Sequence, residues 1–122
     1  MGSSYTFIEA PGFTEAVQFF FEGDDSYAEL QAILSKNPEI GKVIPGGSPL
    51  RKLRWLDSRR GKGKRGGLRI IYVHVPDIRV LMMIDIYGKG EAEDLSNSTK
   101  RVLKVAAREA IESIRTGRNA NK

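Results

Sequence analysis

Two strongly β-prone segments, separated by only four residues, constrain the fold of this chain more than any other feature. Leu68–Val75 and Val80–Tyr87 are rich in β-branched, aliphatic and aromatic residues, which favour strands. The connection Pro76–Arg79 is short enough for a hairpin, and strands joined in this way pair antiparallel. We therefore expect an antiparallel sheet built around this hairpin.

Further elements are predicted on both sides of the hairpin. Tyr5–Glu9 and Leu50–Leu56 alternate as strands do. Apolar residues recur at helical spacing in three segments: from Thr14, the expected N-cap, to Gly23; from Asp24 or Asp25 to Asn37; and from Ser96–Thr99 to about Arg115, with Gly117 past the end. The predicted order is β-α-α-β-β-β-α. This is an α+β fold, an antiparallel twisted sheet with two N-terminal helices and one C-terminal helix on one side.

The length and composition predict a single globular domain. We place it at residues 1–118, with 119–122 as a loose tail, in a chain of 122 residues that is 40% hydrophobic and 29% charged. The longest aliphatic run, Val80–Ile84, is too short to cross a membrane, and the N-terminus lacks the pattern of a secretory signal. The absence of cysteine fits a cytoplasmic protein. Because the chain has one histidine and no cysteine, we expect neither a metal centre nor a Ser-His-Asp triad. We also expect no cofactor.

Positive charge is concentrated in the middle of the chain. Residues 1–41 carry one Lys and seven acidic residues, whereas residues 42–69 carry ten Lys or Arg against Asp57 alone, a net charge of +9. Such a segment is typical of a polyanion partner, although a solvated loop that maintains solubility would look the same. Five of these cations, interleaved with glycines in one loop, are expected to contact the phosphates of such a polyanion: Arg59, Arg60, Lys62, Lys64 and Arg65.

Strand alternation predicts which basic side chains share a face. Lys52 and Arg54 point the same way from their strand, about 7 Å apart. Arg69 interrupts the next strand near its start, and Tyr87 ends the strand after it. If helices cover only one face of the sheet, the other face would present all four together as a site. The alternative is that they are ordinary solvent-facing residues of an amphipathic sheet.

The segment Gly41–Leu95 resembles a known family. Its three parts are GKVIPGGSPLRKLRW, GKGKRGGLRIIYVHV and IYGKGEAEDL. Together they resemble the RelE/HigB-type toxins of bacterial type II toxin–antitoxin systems, and the HigB-like branch of the RelE/ParE superfamily is the most similar. The resemblance implies a RelE-like fold and a ribosome-dependent, metal-independent endoribonuclease, an mRNA interferase that inhibits translation.

The resemblance also implies roles for individual residues. The expected catalytic set is Lys52, Arg54, Arg69, Tyr87, Lys89 and Glu91. Arg51, the loop cations and Tyr72 are expected to bind RNA, with Tyr72 either stacking on a base or lying in the core. Some relatives have a catalytic Tyr or His near the C-terminus, but this chain has none after Leu95, so the proton-transfer residue stays open among Tyr87, Lys52 and Glu91. His74 does not match that position and is expected to be structural.

The implied partners are a cognate HigA-like helix-turn-helix antitoxin, the ribosomal A site and mRNA, with no membrane. Phe13 and Phe19 are possible anchors for the antitoxin, or part of the core. Expression should arrest growth, and Arg69→Ala should lose most of that toxicity while folding normally, because an arginine at the edge of a strand is structurally replaceable. Two alternatives stay open: a non-catalytic, ParE-like inhibitor of DNA gyrase and a nonspecific RNA-binding module.

Overall fold

Five strands form one mixed sheet in the order β1-β5-β4-β3-β2. The computed structural model describes residues 5–21, 24–57, 67–88 and 95–120. The elements are β1 (Thr6–Glu9), α1 (Pro11–Phe20), α2 (Asp24–Lys36), β2 (Lys42–Val43), β3 (Arg51–Trp55), β4 (Leu68–Val75), β5 (Val80–Gly88) and α3 (Asn97–Ala120). A 3₁₀ turn over Pro76–Ile78 connects β4 to β5, so the predicted hairpin and the α+β class are confirmed.

The sheet differs from the predicted one at its two edges. β1 pairs in parallel with β5, with Thr6 opposite Val80, so the sheet is mixed rather than wholly antiparallel. The backbone N–H of Ala10 donates to the carbonyl of Met83 and extends this pairing by one bond. The two-residue strand β2, which was not predicted, pairs antiparallel with β3 at the other edge.

Helices pack on both faces of the sheet, not on one. The first face carries α1 and α2, whose Phe13, Phe20, Leu30 and Leu34 form one core with Leu68, Ile70, Tyr72, Leu81, Met83 and Ile86. The second face carries α3, whose Ala107 and Ile111 join Ile44, Leu50, Ile71, Val73, Val75, Val80, Met82 and Tyr87. β4 and β5 are therefore buried on both sides. Strands in that position read as continuous apolar runs, as these two do.

Two helix ends differ from prediction. α1 begins at Pro11 rather than after Thr14, because proline has no N–H to satisfy and its fixed φ suits the first helical position. Thr14 lies inside the helix and donates to the Glu9 carboxylate at 2.7 Å. α3 continues through Gly117 to Ala120 instead of stopping near Arg115. Among the helices in the described ranges, none is long and apolar enough to cross a membrane.

Candidate functional site

The strand register brings four of the predicted site residues onto one face of the sheet. Arg54 of β3 lies opposite Arg69 of β4, and Arg69 lies opposite Tyr87 of β5. Lys52 is two residues from Arg54 along the same strand and lies opposite Ile71. Neighbours in such rows have Cβ atoms about 5 Å apart across the strands. We call Lys52, Arg54, Arg69 and Tyr87 the basic row.

The basic row lies on the face that α3 partly covers, so the expected uncovered face does not exist. Its members on β3 are more accessible than those on β4 and β5. Arg54 is exposed and Lys52 is half-buried, whereas Arg69 and Tyr87 are 4% and 6% exposed. Arg69 belongs to the central strand β4 rather than to a strand edge. The expectation that Arg69→Ala folds normally therefore loses its structural basis.

A recess of about 240 Å³ opens beside the basic row. Lys52 and Tyr87 line it from the sheet, and Lys100 lines it from the first turns of α3. Ile44, Pro45 and Leu95 complete its wall. We call it the row recess. Lys100 was not predicted as a site residue. A signal was present in the sequence, because Lys100, Lys104 and Arg108 are spaced four residues apart and therefore lie on one flank of α3.

Two like charges of the basic row meet across neighbouring strands. Arg54 and Arg69 lie directly opposite each other, and like charges in that arrangement destabilise a sheet. Asp85 lies on the same face of the sheet, because Ile71 pairs with Lys52 on one side and with Asp85 on the other. The Asp85 carboxylate accepts from the N–H of Ile86 at 2.9 Å. Asp85 is the one acidic residue of β5, VLMMIDIYG, and its place on this face was not predicted from the sequence. This clustering of cations suits a bound phosphate, which would relieve the repulsion.

Arg51 and Tyr72 do not belong to this face. Arg51 points to the opposite side, where its Nη1 donates to the carbonyl of Gly41 at 2.6 Å. Tyr72 is fully buried, donates to the carbonyl of Pro38 at 2.8 Å and accepts from the N–H of Gly41 at 2.9 Å. Burial raises the pKa of Tyr72. Both residues brace the segment before β2, so the expectation that Tyr72 stacks on a base is wrong.

Removing the Tyr72 hydroxyl tests this bracing role. In Tyr72→Phe, the carbonyl of Pro38 and the N–H of Gly41 lose their partner, and we expect the free energy of unfolding to fall by about 1–3 kcal/mol. Urea denaturation measures the change, with Tyr5→Phe as the control because the Tyr5 hydroxyl is only half-buried. RNA binding per folded molecule should not change. Weaker RNA binding at unchanged stability would return Tyr72 to the site.

His74 contributes to structure on the same face as Tyr72. Its Nε2 lies 2.9 Å from the Tyr5 hydroxyl, and its Nδ1 lies 3.2 Å from a carboxylate oxygen of Glu39.

Some predicted site residues lie outside the described residues: Lys89, Glu91 and the loop cations at 59–65. Within the described ranges, no group of three or more His, Cys, Asp or Glu side chains is placed to hold a metal ion.

Comparison with known proteins defines the fold. No family model matches the sequence. The Escherichia coli toxin RelE, solved in the free state with two arginines replaced by alanine, is 16% identical with a TM-score of 0.51, over 74% of this chain and 88% of that one. A second match is the E. coli RelBE toxin–antitoxin complex, which is 17% identical with a TM-score of 0.48, over 70% of this chain and 96% of that one. A third is the archaeal RelE–RelB complex from Pyrococcus horikoshii, which is 19% identical with a TM-score of 0.45, over 73% of this chain and 99% of that one. The fold is RelE-like.

Proposed function

We propose that this protein is the toxin of a type II toxin–antitoxin pair and that it cuts mRNA on the ribosome without a metal ion. The observation that carries this proposal is the basic row. Three cations and a tyrosine from three adjacent strands lie on one face beside a recess. A binder that needs only positive charge does not require such convergence. The RelE-like fold and the sequence resemblance support the same activity.

The basic row suits the demands of RNA cleavage. Attack by a 2′-hydroxyl on the adjacent phosphorus builds negative charge on the non-bridging oxygens. Arg54 and Lys52 are accessible enough to contact those oxygens directly. Arg69 lies behind them in a buried position, where a fixed cation acts through a low dielectric and its field is stronger. Arg54 and Lys52 thus bind the phosphate, and Arg69 adds to the positive potential around it.

Two of the candidates for proton transfer border the row recess. Lys52 lines it with a half-buried side chain that a substrate group placed there can contact, whereas Tyr87 contributes to the wall with its hydroxyl buried. The exchange of protons with the attacking 2′-hydroxyl and the leaving 5′-oxygen stays open among Lys52, Tyr87 and Glu91. Lys89 and Glu91 follow β5 in the sequence and stay proposed members of the site. The proposed partners are the ribosomal A site, mRNA and a HigA-like antitoxin in the cytoplasm.

Mapping transcript 5′ ends after brief induction tests the proposal. Wild-type protein should create new 5′ ends within translated messages in minutes, and blocking translation initiation should remove them. Growth arrest with DNA damage and no new 5′ ends would contradict the proposal and favour the gyrase inhibitor. RNA binding with neither effect would favour the nonspecific binding module.

A further inference from the structure

The first half of α3 carries a second concentration of positive charge. Residues 95–108 contain Lys100, Lys104, Arg101 and Arg108 and no acidic residue. Three of these cations, spaced four residues apart, face the turn that precedes β3. Lys100 Nζ donates to the carbonyl of Pro45 at 3.0 Å, and Lys104 Nζ lies 3.4 Å from the carbonyl of Gly46.

These cations surround a recess of their own. It has a volume of about 220 Å³ and is lined by Gly46, Asn97, Lys100, Arg101 and Lys104. A water molecule occupies about 30 Å³ in the liquid, so the space holds a phosphate group with part of its hydration shell. We call it the helix recess. Arg101 and Asn97 are exposed, and Lys100 and Lys104 are half-buried, so their polar groups are accessible to a ligand.

The helix recess adjoins the row recess at Lys100. Lys100 lines both, and the adjacent residues Pro45 and Gly46 line one recess each. A polyanion seated on Lys52 therefore has its next cations at Lys100 and then at Lys104, which lies one helical turn or about 6 Å further along α3. The row and the flank of α3 form one cationic path.

We propose that the helix recess is a second phosphate-binding subsite, formed by Lys100, Arg101 and Lys104, for the same RNA strand that the basic row holds. This subsite rests on the proposed function for the identity of its ligand. Backbone contacts of this kind fix the register of a strand and carry no base preference. An acidic protein segment is the competing occupant. RNA is favoured because the helix recess adjoins the row recess, with Lys100 in the wall of both.

Binding of a non-cleavable RNA to the purified protein tests the subsite without ribosomes. The probe is a 12-nucleotide 2′-O-methyl oligouridylate, which lacks the attacking hydroxyl. We expect the double variant Arg101→Gln/Lys104→Gln to bind it roughly tenfold more weakly at 0.1 M salt. The slope of log K against log salt should fall by about 1.4, the value for two lost contacts on a single strand. This binding measurement does not depend on cleavage of transcripts in cells. The RNA-binding subsite and the proposed cleavage activity can therefore be refuted independently of each other.

Three controls make the outcome decisive. Arg115→Gln removes a cation of the same helix that pairs with Asp77 at 2.8 Å, away from both recesses, and should bind the 12-mer as wild type does. Arg101→Lys/Lys104→Arg keeps both charges and should restore binding. Binding of uridine 3′-monophosphate, whose single phosphate occupies one recess at a time, should be weakened less by the double substitution than binding of the 12-mer. Unchanged affinity and salt slope in the double variant would overturn the subsite, as would tighter binding of hexaglutamate than of RNA.

Discussion

The double variant Lys52→Gln/Arg54→Gln is expected to lose at least a thousandfold in cleavage rate while folding about as stably as the wild type. Removing one fixed cation from a site of developing negative charge costs about a hundred- to thousandfold, and both of these residues are accessible to the phosphate. Stability should change little because Arg54 is exposed and Lys52 is half-buried, and substitutions at accessible positions have small effects on the free energy of unfolding. Cleavage is measured by primer extension on translating ribosomes, and stability by thermal unfolding.

A matched control removes two charges elsewhere. Lys36→Gln/Arg115→Gln changes the net charge equally but alters the end of α2 and the ion pair with Asp77. It should cleave at close to the wild-type rate. Equal losses in the two double variants would mean that net charge, not the basic row, governs activity. A large drop in the unfolding temperature of Lys52→Gln/Arg54→Gln would mean that the row is structural.

The second large effect concerns Arg69, for which we expect Arg69→Ala to lower the free energy of unfolding by about 2–4 kcal/mol. Its side chain is 4% exposed in the central strand, so truncation leaves a cavity and removes its buried polar interactions. Such a loss is a large part of the 5–15 kcal/mol that stabilises a typical domain. Urea denaturation of the purified variant measures it.

Arg69→Lys separates the structural and electrostatic contributions of this residue. It keeps the positive charge and most of the aliphatic stem, so it should fold with a smaller loss and retain more cleavage per folded molecule than Arg69→Ala. If Arg69→Ala is as stable as wild type, burial of this arginine does not support the fold. Equal cleavage by folded Arg69→Ala and by wild type would remove Arg69 from the site.

Local sequence patterns predicted most of the elements because each depends on neighbouring residues. The hairpin follows from two β-prone runs around Pro76–Arg79, and the shared face of Lys52 and Arg54 follows from strand alternation alone. The partner of β1 could not be read in this way, because its pairing with β5 joins residues over 70 positions apart. The apolar runs of β4 and β5 did contain the signal that helices cover both faces.

The site was predicted less completely than the fold, for a similar reason. Which residues share a strand face is a local property, but burial is not. Nothing near Tyr72 in the sequence shows that the segment around Pro38 and Gly41 folds over its hydroxyl. Lys100 was missed because its proximity to Lys52 depends on where α3 crosses the sheet. Phe13 and Phe19 looked alike in the sequence, yet the first is fully buried and the second is 64% exposed.

The parallel pairing of β1 with β5 has a consequence for synthesis of the chain. Residues 6–9 leave the ribosome before their hydrogen-bonding partners at 80–83, which emerge only after about another seventy residues have been added. Contacts of such high sequence separation form late, because the intervening loop must close before they contribute. The basic row also needs Tyr87 beside Arg69. A nascent chain therefore cannot assemble the row until β5 has left the exit tunnel, so the basic row forms only after the segment that carries β5 has been made.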